Sequence, residues 1–153
     1  MKMKRQSGFT LIELMVTIAI VGVLSATAVP VYHTWQQRAY GSEAAIMAKQ
    51  LLNAQVTYYL DENKFYPDND SIRISHDDSS DGENVKKVYD NLNLTVPTGH
   101  FLDYEIYGDN SPGNESSTVI ITAHGNFDLF KGTDQVIGTV KKTGEITYFY
   151  PSY

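Results

Sequence analysis

The chain has 153 residues, no cysteine, and 12 basic against 18 acidic side chains, for a formal net charge of -6. The missing cysteines exclude a disulfide scaffold, so any exported fold must rest on its core alone. The acidic balance argues against a nucleic-acid or anionic-lipid partner, and the length suits one globular domain plus an accessory segment.

Three cations, Lys2, Lys4 and Arg5, open the chain with no acid among them. Gly8-Phe9-Thr10-Leu11-Ile12-Glu13 then sets a small residue and a lone carboxylate at the head of an apolar run. Leu14 to Val31 carries no charged side chain, and such a run of about eighteen residues approaches the hydrocarbon thickness of a bilayer as a helix. The basic end stays in the cytoplasm by the positive-inside tendency, which sends the remainder across. Glu13 costs roughly 2.5 to 3.5 kcal/mol if it sits deep in lipid and less near the interface; ionisable groups kept there usually have a partner. Ala26-Thr27-Ala28 would suit a secretory signal peptidase. Against that cleavage, the apolar stretch exceeds the usual signal core of about 7 to 15 residues and contains Glu13.

GFTLIELMVTIAIVGVLSATAVP, residues 8–30, resembles the N-terminus of the type IV prepilin family, a pattern shared with the pseudopilins of type II secretion. The resemblance implies that a prepilin peptidase/methylase removes residues 1–8 after Gly8 and methylates the new amine of Phe9. It also implies that Glu13 is the assembly glutamate and that Pro30 bends the helix; Gly22, which costs about 1 kcal/mol relative to alanine in a helix, is a second weak point by propensity. Removing the leader cations leaves 9 basic against 18 acidic residues, or -9 before the new amine. Within one chain the Phe9 amine and Glu13 would stand about 6 Å apart along a helix. The family implies instead that the amine of one subunit meets the glutamate of the next. In low dielectric that pairing offsets much of the burial cost and makes Glu13 an assembly register. Many type IV pilins staple their C-terminal loop with a disulfide; this sequence departs from that.

Beyond the apolar run, Tyr40, Ala44, Met47, Leu51, Ala54 and Tyr58 recur at spacings of four and three, one face of a helix. Arg38, Ser42, Glu43, Lys49, Gln50 and Asn53 occupy the other faces, and Asp61-Glu62-Asn63 with Pro67 provides a stop. The predicted organisation is therefore a removed leader at 1–8, a transmembrane and assembly half-helix at 9–31, and an amphipathic half at 32–60. A connecting region at 61–100 and an antiparallel sheet at 101–153 complete it.

The connecting region is polar, with Asp68, Asp70, Asp77, Asp78, Asp81 and Glu83 crowded together, a pattern of solvated loops. Asp77, Ser79 and Asp81 followed by Gly82 are similar to the start of an EF-hand calcium loop, but Val88 stands where its closing glutamate belongs. Major pseudopilins of type II secretion bind calcium, which makes these three residues calcium candidates. A short helix is expected around Val85 to Leu92.

Strands follow. Leu102, Tyr104 and Ile106 alternate with Asp103 and Glu105; Thr118 to Ala123 comes next, and Val136 to Lys141 pairs with Glu145 to Tyr150 across Lys142-Thr143-Gly144. Asn110-Ser111-Pro112-Gly113-Asn114 is a turn. The fold class is α+β: a long N-terminal helix, its first half transmembrane, packed on about four antiparallel strands, in agreement with the pilin fold.

His33, His76, His100 and His124 are scattered, with no metal-binding spacing, nucleophile elbow or phosphate loop, so no catalytic residue, enzyme activity or cofactor is expected. Phe9, Tyr32, Trp35, Tyr40, Tyr58, Tyr59 and Phe65 follow the helix as contact residues, with Tyr32 and Trp35 at the membrane interface. The expected function is a structural subunit of a type IV pilus-like filament. It is held first in the bacterial inner membrane by one span with the C-terminal domain periplasmic, then built into a homo-oligomeric filament by inner-membrane assembly machinery. The alternative is a pseudopilin of type II secretion or a minor tip pilin.

Overall fold

The computed structural model describes residues 8–125, 128–130 and 132–149, of Phe149 the backbone only. Lys2, Lys4, Arg5 and the end of the last predicted strand, Tyr150, lie outside the described residues. The chain divides into two compact units, Met1–Gln36 and Gln37–Tyr153, and helix α1, Leu11–Glu62, contributes to both.

In the first unit, α1 continues as helix through Gly22 and Pro30. Every residue from Gly8 to Trp35 is exposed, and these include most of the chain's large aliphatic side chains outside the core. Hydroxyls in this segment are satisfied locally. Thr17 donates to the Leu14 carbonyl, Ser25 to Val21 and Thr27 to Leu24, at 2.8, 2.7 and 3.0 Å. These three hydroxyls therefore bring their own acceptors into lipid, where an unpaired one is costly.

The second unit contains the remainder of α1, a short helix and a sheet. α1 buries Gly41, Ala44, Met47, Ala48, Leu51, Leu52 and Gln55, a stripe at spacings of three and four. The predicted positions Ala44, Met47 and Leu51 lie in it, while Tyr40, Ala54 and Tyr58 pack half-buried at its margins. α1 ends where Asn63 turns left-handed (φ 54°) and its N–H returns to the Tyr59 carbonyl at 2.9 Å.

Five antiparallel strands pair in chain order: β1 Ser71–Ile74, β2 Leu102–Asp109, β3 Ser116–Ala123, β4 Gln135–Lys141 and β5 Ile146–Phe149. The antiparallel sheet expected with about four strands gains a fifth in β1, which lies inside the predicted connecting region. It carries only two apolar residues, Ile72 and Ile74, alternating with Ser71 and Arg73, too short a pattern to stand out from the acidic turns around it. Register places Ile72 opposite Ile106 and Ile74 opposite Tyr104. The same region holds α2, Glu83–Leu92, which turns Val85, Val88 and Leu92 into the core and closes on the left-handed Asn93.

One core joins these elements: Leu51 and Leu52 of α1, Leu102, Tyr104 and Ile106 of β2, Val119 and Ile121 of β3, and Val136 and Val140 of β4. Each of the eight fully buried aliphatic side chains among these stabilises the fold by about 1.5 to 3 kcal/mol. Gln55 is the polar exception. Its amide is buried and bonds both backbone groups of Tyr66, accepting from the N–H at 3.0 Å and donating to the carbonyl.

The C-terminal hairpin is closed by sheet and surface bonds rather than by cysteine. Lys141 N–H donates to Glu145 O at 3.0 Å across the β4–β5 turn. Lys142 donates from its backbone to the Glu115 carbonyl at 3.0 Å and pairs with the Glu115 carboxylate at 2.7 Å, joining the hairpin to the entrance of β3. Leu129 and Phe130, between β3 and β4, are buried against α1 at Gly41, where a Cβ would stand 2.8 Å from the Leu129 carbonyl oxygen. Only glycine admits that approach.

Candidate assembly segment

Glu13 is tied to the start of its own helix. Thr10 is the residue before α1, and its N–H and hydroxyl donate to Glu13 Oε2 at 2.9 and 2.8 Å, while the Glu13 N–H faces Thr10 Oγ1 at 3.4 Å. This is a reciprocal capping box, in which a threonine and a glutamate three residues on satisfy helix donors that have no intrahelical acceptor. Thr10 was not among the predicted site residues. Its signal, Thr-x-x-Glu directly before an apolar run, is present in the sequence.

Around this box the other predicted residues stand free within the chain. Phe9 is 88% exposed. A side chain added at Gly8 or at Gly22 would meet nothing within 4 Å, so packing inside the chain explains neither glycine. At Gly22 the helix forgoes about 1 kcal/mol relative to alanine. Pro30 withholds a donor from the Ala26 carbonyl, yet helix is assigned on both sides of it. α1 is long and apolar enough to cross a membrane, and no residue of its most apolar window is buried in the chain.

In the second unit the calcium candidates Asp77, Ser79 and Asp81 precede α2, which begins at Glu83. The second half of an EF-hand-like loop is thus helical, and Val88, at its closing position, is in the core. Asp78 instead accepts the Ser75 N–H at 2.8 Å, and Ser79 Oγ the Asp81 N–H at 3.3 Å. The histidines are less scattered than their spacing suggests. His100 lies 3.4 Å from Glu43 and stacks near Tyr40, whereas His76 and His124 both approach Asp103. No spacing rule could have joined these last two, because strand pairing brings them together.

Residues 3–29 match the family described as the prokaryotic N-terminal methylation motif, a span that contains Gly8, Phe9, Glu13 and Gly22 and stops just short of Pro30. The chain is 45% identical over 83 residues to the type IV major pilin protein PilE of Neisseria gonorrhoeae, covering 54% of this chain and 50% of that one. A fimbrial protein of Neisseria meningitidis is 42% identical over 83 residues, 54% and 49% of the two chains. The type IV major pilin protein PilA of Myxococcus xanthus is 41% identical over 61 residues, 40% and 28%. The homologues of this chain are type IV major pilins and fimbrial proteins. With the Neisseria proteins the chain aligns over about half of their length, and its own methylation motif stands at the head of the apolar helix α1. The α+β architecture of a long apolar helix and an antiparallel sheet is pilin-like throughout.

Proposed function

We propose that the chain is the structural subunit of a type IV pilus-like filament. The observation that carries this reading is the apolar helix exposed on every side from Leu11 to Trp35, interrupted by one acid and continued into a unit with its own closed core. Such a helix requires lipid first and other helices afterwards. The leader is removed after Gly8 and Phe9 is methylated by the prepilin peptidase/methylase. The subunit waits in the inner membrane with its second unit in the periplasm, and assembly machinery then draws it into a homo-oligomer.

In that filament the Phe9 amine of one subunit pairs with Glu13 of its neighbour. Both Thr10 bonds fall on Oε2, which leaves Oε1 to accept from the amine without breaking the capping box. Thr10 follows Phe9, so the box survives leader removal. Gly22 and Pro30 supply the stretch of α1 that bends when helices are packed. The names of the relatives favour a pilus over a type II secretion pseudopilus, and as pilins they are structural proteins rather than enzymes.

The test is recovery of the chain in sheared surface filaments, with mass spectrometry of its N-terminus. N-methylated Phe9 is the expected result; a chain found only as a monomer in the membrane, or starting at Val29, would overturn the reading. Gly8→Asp should block processing, and a mature-sized product from that variant would refute the cleavage point.

A further inference from the structure

His76 follows β1, Asp103 lies in β2 and His124 follows β3, so three neighbouring strands deliver these side chains to one end of the sheet. Asp103 Oδ1 is 3.1 Å from His76 Nδ1 and its Oδ2 is 3.9 Å from His124 Nδ1. One ligand atom from each residue lies within 4.8 Å of the other two, and among the described residues no other three His or carboxylate side chains converge in this way. We propose that His76, Asp103 and His124 form a binding site for a divalent metal ion of the zinc class.

The donor set selects the metal. Two imidazoles and a carboxylate suit zinc and its copper and nickel neighbours, whereas calcium and magnesium take oxygen ligands. Three protein donors leave a fourth, tetrahedral position for water. The carboxylate is already oriented, since Oδ1 accepts the His76 backbone N–H at 2.6 Å. The imidazoles are stacked at 3.5 Å between centroids and 16° between planes, a geometry in which their lone pairs run side by side. Metal bonds of about 2.0 to 2.1 Å require them to converge, and His124, with half of its side chain exposed, has room to turn out of the stack. Arg73 is the competing cation, 3.5 Å from Oδ2 and largely exposed. Its cross-strand partner Glu105 offers it another carboxylate when the metal takes Asp103. The bound ion would clip the ends of β1, β2 and β3 in a domain that has no disulfide.

The full chain, purified in detergent without a polyhistidine tag, is titrated calorimetrically with zinc chloride at neutral pH. One equivalent binds, calcium chloride does not displace it, and zinc raises the thermal unfolding midpoint. His124→Ala weakens binding by about tenfold or more, the scale on which even residues behind the ligands act, and abolishes the midpoint shift. His33→Ala and His100→Ala retain both. Circular dichroism without zinc checks that the variants fold. Should His124→Ala misfold, Asp103→Asn, which keeps an acceptor for the His76 N–H, is scored by the same two measurements. Absence of binding by the native chain, unchanged affinity in a folded His124→Ala or Asp103→Asn variant, or displacement by calcium overturns the site.

Discussion

Asn110 holds both backbone polar groups of Phe65, its Oδ1 accepting the N–H at 2.7 Å and its Nδ2 donating to the carbonyl at 2.9 Å. Gln55 makes the same pair of bonds to the next residue, Tyr66. One amide comes from α1 and the other from the end of β2, so the segment after the helix is bonded as a strand would be without being in the sheet. Asn110→Ala leaves two half-buried backbone groups unpaired and should destabilise the second unit by about 1 to 3 kcal/mol. Lys64→Ala, which removes only the exposed 3.5 Å pair with Asp68, should change stability by less than about 1 kcal/mol. Denaturant unfolding in detergent compares them, and equal losses would show that the amide is not the anchor.

Close backbone approach predicts an order among glycine substitutions. A Cβ at Gly108 would stand 2.0 Å from the Pro67 carbonyl oxygen, a backbone atom held by the same segment. At Gly138 the nearest atom is Leu52 Cδ1, at 2.5 Å, the end of a side chain that can change rotamer. Overpacking of this kind costs roughly 1 to 3 kcal/mol or more, so Gly108→Ala should fall at or above the top of that range and Gly138→Ala near the bottom. Thermal unfolding of the two variants ranks them, and the reverse order would contradict the placement of Pro67 on β2.

What the sequence made legible follows the strength of its periodicities. The apolar run, the helix stop at Asn63 and the three strands with seven or eight alternating residues are written in single stretches of chain. β1 was not, because Ile72 and Ile74 alone do not make a pattern and become a strand only when Ile106 and Tyr104 lie beside them. Glycine 41, Ala48, Leu52 and Gln55 were missed on α1 because the face that meets a twisted sheet is broader than one row of spacing. At the assembly segment, Glu13 was legible as an unusual charge, whereas its bond to Thr10 required the helix start to be placed to the residue. His76 and His124 could not be joined from sequence at all, since 48 positions and two strand pairings separate them.

Tyr104 is buried in the core, and its hydroxyl has no hydrogen-bond partner among the described residues. Burial, with the nearby Glu43 carboxylate, pushes its pKa well above the ordinary value of 10.0. The native state therefore keeps the proton while the unfolded chain releases it. The resulting stability is fully present below pH 10.0 and is lost progressively as pH rises above it. Tyr104→Phe should flatten this alkaline loss and, by removing an unpaired buried hydroxyl, leave neutral-pH stability unchanged or raised by up to about 1 kcal/mol. Unfolding curves between neutral and strongly alkaline pH distinguish this from a hydroxyl that is bonded, whose removal would destabilise at neutral pH.

Glu13 has two roles that one substitution separates. As the far half of the capping box it accepts two bonds from Thr10; as the proposed assembly register it supplies a negative charge to a neighbouring amine. Glu13→Gln retains an acceptor for Thr10, since glutamine serves in this position of the box, but it has no charge. The amine it should meet is then buried unpaired, a penalty of roughly 2.5 to 3.5 kcal/mol per subunit on insertion scales. Glu13→Gln should therefore reach the membrane at native levels and yield filaments reduced more than about tenfold, a loss comparable with that of Glu13→Ala. Thr10→Ala breaks the box and keeps the charge; it should cost about 1 kcal/mol at the helix start and reduce filaments far less. Counting sheared filaments against membrane-bound subunit for the three variants decides between the roles. If Glu13→Gln assembles normally while Thr10→Ala does not, the glutamate acts through its own helix and the intersubunit pairing must be abandoned.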